Sequence, residues 1–164
     1  MITSMDNEHD PQNRYICQGD YPVKRGDGKW TIAQAGCTDC SYTMAAQYYN
    51  RTSYDITQIS KLSNQGGYII SGQSFYFGKF CADMGINRDF GPLSSSSIIS
   101  SITQGNPVVV QIKGKWKDYH TSPNTHYFLI IGYDDVGFLL QTREAKIIQK
   151  MVLSHIRILL NGQL

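Results

Sequence analysis

Apolar residues recur at helical spacing through the first two thirds of the chain, then gather into short unbroken runs. Behind Cys40, the residues Met44, Ala45 and Tyr48 fall on one helical face with no Gly or Pro between them, which predicts a first helix from near Cys40 to Asn50. Thr52 followed by Asp55 has the form of a capping box, and Ile56, Ile59 and Leu62 continue it as a short second helix. Phe77, Phe80, Cys81 and Met84 follow Ser74 at spacings of a single helical face, and Gly85 offers a left-handed stop, so a third helix is expected there. Serines 94 to 97 can cap a fourth helix carrying Ile98, Ile99 and Ile102, closed by Gly105 and Pro107. The pattern then changes. Val108 to Ile112 and Tyr127 to Tyr133 are apolar and rich in β-branched or aromatic residues, and Phe138 to Gln141 follows a turn at 134–137, as expected of antiparallel strands. Helices first and strands after is the α+β order.

The 164 residues suit one domain spanning 1–164, with a turn-rich, irregular N-terminal segment over 1–30. An apolar fraction of 41% with 17% charged residues excludes disorder, collagen and coiled coil. The net charge of +2 is too small to imply nucleic acid or an anionic membrane as partner. The acidic N-terminus has no apolar core region, so no signal peptide is expected, and no stretch has the length of a transmembrane helix. Four cysteines are too few to form a disulfide framework in a chain of this length.

Candidate chemistry begins at Gln34-Ala-Gly-Cys37-Thr-Asp-Cys40-Ser. A thiol at a helix N-terminus faces unpaired backbone N–H groups and the positive end of the dipole, which favours Cys40 as a thiolate. Gln34, six positions upstream, can add an amide donor to the backbone N–H of that Cys and so form an oxyanion hole. The same spacing also fits a redox CxxC or half a zinc site. Zinc would need a second close ligand pair, and a thioredoxin-type motif would need a βαβ setting; the sequence offers neither. Among the histidines, His9 lies in the irregular N-terminus, His155 in the tail and His120 in a loop, whereas His126 opens an apolar strand. Its backbone is thereby held beside a cleft, which suits a general base.

The Gln34 to Ser41 segment resembles the papain-type motif. Gly105-Asn-Pro-Val-Val-Val and Thr125-His-Tyr-Phe-Leu-Ile-Ile-Gly-Tyr-Asp-Asp135 are similar to the bacterial and phage C39-like peptidases of the papain superfamily, over residues 30 to 141. The resemblance implies a papain-like α+β fold, with N-terminal helices packed on a C-terminal antiparallel sheet. It implies a cysteine endopeptidase with Cys40 as nucleophile, Cys37 as fallback, His126 as base and acid, Gln34 as oxyanion donor, and no metal or cofactor. The implied substrate is a peptide, foremost a peptidoglycan cross-link. The enzyme would be a phage or bacterial endolysin, made in the cytoplasm and acting at the cell wall after lysis or release. A leader peptide processed beside a transporter comes second, and no transporter segment is present.

The superfamily orients its His with an Asn or Asp on the strand after the His hairpin. Thr142 stands at that position, and Asp134 and Asp135 read as turn residues. The expectation is therefore impaired catalysis, or an inactive peptidase fold kept as a binding module. Residues 142–164 are atypical: as a helix, the apolar residues of the tail would spread around most of its circumference. Back-translated and read in the neighbouring frame, the tail yields a turn, a strand and a polar-aromatic end. A frameshift from about Thr142 is thus a hypothesis, refuted if the gene's nucleotide sequence has no such frame.

Overall fold

The computed structural model describes residues 3–4, 15–25, 28–50, 52–70, 74–87, 89, 94–113, 125–135, 137–142 and 145–151. Its centre is strand β5 (Thr125–Tyr133), hydrogen-bonded on both edges. On one edge, β4 (Val108–Lys113) pairs antiparallel with Thr125 to Ile130. The short β1 (Thr3–Ser4) takes over the same edge at Gly132 and Tyr133. The other edge carries β6 (Phe138–Thr142), with a bulge between Ile130 and Gly132. The β5–β6 connection is the expected turn: Asp134 Oδ1 accepts the Gly137 N–H at 3.0 Å, so Asp134 acts there as a turn residue.

This sheet is covered on both faces. Val109, Leu129, Ile131 and Leu139 pack into a core with the N-terminal helices. Their neighbours Val110, Phe128, Ile130, Phe138 and Leu140 pack against Ile98 and Ile102 of α5 (Ser95–Thr103). Burial on two faces removes the need for polar residues at alternate positions, which is why β5 reads as an unbroken apolar run. The sequence placed all helices ahead of the sheet in order; the fold lays α5 on the opposite face from the others.

Among the described residues, five α-helices accompany the sheet. The first, α1 (Ile32–Ala35), carries a capping box between Thr31 and Gln34, and α2 (Cys37–Asn50) follows after a single residue. It therefore starts three positions earlier than the apolar spacing predicts. α3 (Ile56–Gly66) is capped by Asp55, whose Oδ1 accepts the Thr57 N–H at 2.8 Å, so the cap lies three residues past the expected Thr52. α4 spans Phe77–Asp83, and Gly85 takes the left-handed conformation (φ +67°) expected of it. Ser74, expected as its cap, instead lies in β3 (Ser74–Phe75), paired with β2 (Ile69–Ile70). Ser94 and Ser97 form a full capping box on α5, and Gly105 follows at φ +80°.

At α4, Asp83 accepts hydrogen bonds from Lys79 Nζ (2.8 Å) and from the Tyr68 hydroxyl. Lys79, then Tyr68, hold its carboxyl below the usual carboxylate range. A lowered folded value stabilises the fold above the unfolded pKa, and this contribution is lost as pH falls through the folded value. Urea midpoints measured below about pH 4 should therefore fall for the wild type but less so for Asp83→Asn. Parallel acid curves would exclude this linkage.

The tail differs from the helix considered for it. Ala145–Met151 form β7, antiparallel to β6, pairing Phe138 with Met151 and Thr142 with Ala145. A helix apolar on most sides needs burial on most sides, whereas the free edge of β6 asks only for backbone pairing. Residues beyond Met151, together with His9, His120 and His155, lie outside the described residues.

Candidate active site

The first turn of α2 is built by the residues before it. Gly36 ends α1, donating its N–H to Ile32 O at 2.7 Å, and its carbonyl accepts the first helical bond of α2, from Cys40 N at 2.9 Å. A side chain does not fit at Gly36: a Cβ would stand 2.7 Å from both Ile32 Cγ2 and Ile32 O, and Ile32 is fully buried. Gly36→Ala should cost about 1–3 kcal/mol through overpacking. A differential scan of the variant beside the wild type checks this.

Beneath this turn lies an ion pair. Arg25 Nη2 donates to Asp39 Oδ2 at 2.6 Å, with both side chains essentially inaccessible. The pair ties the N-terminal segment to the third residue of α2.

A small cleft of about 190 Å3, including its open mouth, lies at this helix end. Ile16, Gln18, Cys37, Cys40, Ser41, Met44, His126 and Tyr127 line it. The two cysteines differ in kind. Cys37 is the first residue of α2 and is half-buried, whereas Cys40 is 3% exposed and packs in the core with residues such as Ile32 and Met44. Burial pushes the Cys40 thiol well above its ordinary pKa, and the neighbouring Asp39 and Cys37 push the same way. The helix start expected to favour a thiolate at Cys40 lies instead at Cys37, one turn earlier.

The two glutamines are likewise distinct. Gln34, expected at the oxyanion, is exposed; its Oε1 accepts the Thr31 N–H at 3.0 Å, and it is not among the residues lining the cleft. Gln18 is 2% exposed and does line it. Its Nε2 donates to Ala33 O at 3.1 Å, while Oε1 has no hydrogen-bond partner among the described residues. Nothing in the sequence singled out Gln18, since nothing periodic marks the segment that holds it. Only the packing of Ile16 and Gln18 over α1 and α2 brings it to the thiols.

His126 and Tyr127 line the cleft from the start of β5, and His126 is 6% exposed. By register, Gln111 pairs with Tyr127 on the sheet face of Val109 and Leu129, which packs on α2. His126 pairs with Ile112, in step with Phe128 and Ile130, yet it too borders the cleft at the strand end. Gln111 Nε2 donates to the Tyr127 hydroxyl at 2.7 Å. Burial, then Cys37, pushes that phenol up to about 12, so it stays neutral and able to donate near neutral pH. Among the described residues, no group of three or more His, Cys, Asp or Glu comes together to hold a metal ion. No described helix is long and apolar enough to cross a membrane.

Comparison with the curated proteins finds no match, and comparison with the solved structures finds none. The model of the Peptidase_C39 like family matches residues 14–143, a span that takes in the N-terminal segment under α2, both cleft cysteines and strands β4 to β6. With helices, an antiparallel sheet and a Cys- and His-lined cleft in that order, the chain belongs to the Peptidase_C39 like family, a family of cysteine peptidases.

Proposed function

We propose that this protein hydrolyses amide bonds by a Cys-His mechanism, with Cys37 as nucleophile, His126 as general base and acid, and Gln18 as oxyanion donor. The observation that carries the assignment is the contrast between a half-buried Cys37 at the helix start and a fully buried Cys40 one turn in. Cys37 Sγ attacks the carbonyl carbon while His126 holds the thiol proton and then delivers it to the leaving amine. His126 next takes a proton from water, whose oxygen attacks the thioester and frees Cys37. The oxyanion is met by the N–H groups that precede the first intrahelical bond of α2 and by the Gln18 amide, whose nitrogen has one proton left after bonding Ala33 O. Gln34 is exposed on α1 and does not line the cleft, whereas Gln18 does, which favours Gln18 in this role.

The substrate we assign is a peptide cross-link of the bacterial cell wall, cut by a phage or bacterial endolysin of papain-like fold. Purified sacculi treated with the protein should release new amino termini without new reducing sugar ends. Release of sugar ends, or of nothing while a denatured protein substrate is cleaved, would overturn the assignment.

Thr142 favours a second reading, an impaired peptidase kept for binding. It ends β6, at the position where an Asn or Asp would orient the imidazole, and a hydroxyl does not balance imidazolium. Thr142→Asp should raise kcat on the order of tenfold with KM little changed. Unchanged kcat would mean that His126 is oriented from elsewhere, and a wild type that binds sacculi without cutting them would favour the binding module.

A further inference from the structure

Cys37 and Cys40 stand at the first and fourth positions of α2, so their side chains leave adjacent turns of one helix face, and both border the same cleft. Both are free thiols in the structure. The pair is asymmetric: Cys37 at the helix start is half-buried, whereas Cys40 is 3% exposed and packs in the core. If Cys37 is the nucleophile, as proposed above, catalysis needs only that one thiol, which leaves a buried second thiol at the cleft without a role. An accessible reactive cysteine backed by a second one within reach is the arrangement of a reversible oxidation site.

We propose that Cys37 and Cys40 form a disulfide when the protein meets hydrogen peroxide, and that this bond reversibly switches the peptidase off. The inference rests on Cys37 being the reactive thiol. Cys37 sulfur attacks one peroxide oxygen, the O–O bond breaks, and the departing hydroxide takes up a proton to leave as water, so Cys37 becomes a sulfenic acid. Cys40 then gives up its proton as its sulfur attacks the Cys37 sulfur, and the sulfenic oxygen leaves as a second water. The two thiols together lose two electrons and peroxide gains them. The S–S bond removes the nucleophile, and an added dithiol restores both thiols by exchange. Without Cys40, the Cys37 sulfenic acid would be open to further, irreversible oxidation.

The test treats the full chain with a small excess of hydrogen peroxide, then maps Cys peptides by mass spectrometry before and after dithiothreitol. No Lys or Arg separates the two residues, so the bond appears within one tryptic peptide as the loss of two hydrogens. The expected result is that peptide in the wild type, with activity lost on oxidation and fully recovered on reduction. Cys40→Ser should instead accumulate Cys37 sulfinic acid and stay inactive after dithiothreitol. Sulfinic acid on Cys37 of the wild type, or a disulfide that uses Cys17 or Cys81, would overturn the proposal, and the wild-type map decides even if the variant does not fold. Failure of the underlying reading looks different: Cys37→Ala would then retain peptidase activity before any oxidant is added.

Discussion

With Cys37 as the proposed nucleophile, Cys37→Ala is expected to remove peptide hydrolysis, by a factor on the order of 10^4 or more, while the melting temperature stays within about 2 °C of the wild type. The size follows from the chemistry: without the sulfur no acyl-enzyme forms, and only binding and the oxyanion donors remain. The small thermal effect follows from position, because Cys37 is half-buried at a helix start and leaves no sealed cavity. Cys40→Ala should give the opposite pattern. Its sulfur packs in the core, so stability falls by about 1 kcal/mol while turnover stays within a few-fold. Steady-state rates on sacculi and thermal melts of the two variants, measured together, separate these outcomes. A dead Cys40→Ala beside an active Cys37→Ala would return the nucleophile to Cys40. Brief iodoacetamide labelling of the wild type gives an independent reading, with Cys37 labelled first because Cys40 is enclosed.

Arg25→Met should destabilise the fold by about 3–5 kcal/mol, since it leaves the Asp39 carboxylate buried without its counter-ion. For a chain of this length that corresponds to a fall in Tm of roughly 10 °C. The cost is that of breaking the pair and is larger than the pair's net worth. Replacing both partners, Arg25→Met with Asp39→Leu, should therefore recover most of the loss. The pair also sits under the helix turn that carries Cys37, so the single variant should turn over substrate more slowly even at temperatures where it is folded. Calorimetry of the three proteins checks the energetics. A loss below about 1 kcal/mol in the single variant would mean that water reaches Asp39, as at a surface pair.

Much of this architecture is legible before folding. The capping box at Ser94 and Ser97, the left-handed Gly85 and Gly105, and the runs of β4, β5 and β6 are local: each depends on a few neighbouring residues, and each appears where the pattern predicts it. Discrepancies arise where a partner far along the chain decides. Ser74 could cap a helix, but a two-residue strand pairing with Ile70 claims it. The tail lacks a clean helical face, and the open edge of β6 takes it as β7. Gln34 has the spacing of an oxyanion donor, but its side chain folds back to accept the Thr31 N–H, and it does not line the cleft.

From the residues alone follow the α+β order, the four longer helices and the three main strands, the His126-bearing hairpin, and the narrowing of the chemistry to two cysteines three positions apart. The tertiary structure decided which of those thiols is enclosed, that Gln18 rather than Gln34 borders the cleft, and that α5 covers the far face of the sheet. The reason is physical. Periodicity reports which side chains share a face of their own element, whereas accessibility is set by what other elements lay over that face. Here the Ile16 to Arg25 segment, with its buried ion to Asp39, packs against α2 and leaves Cys37 at the cleft with Cys40 behind it.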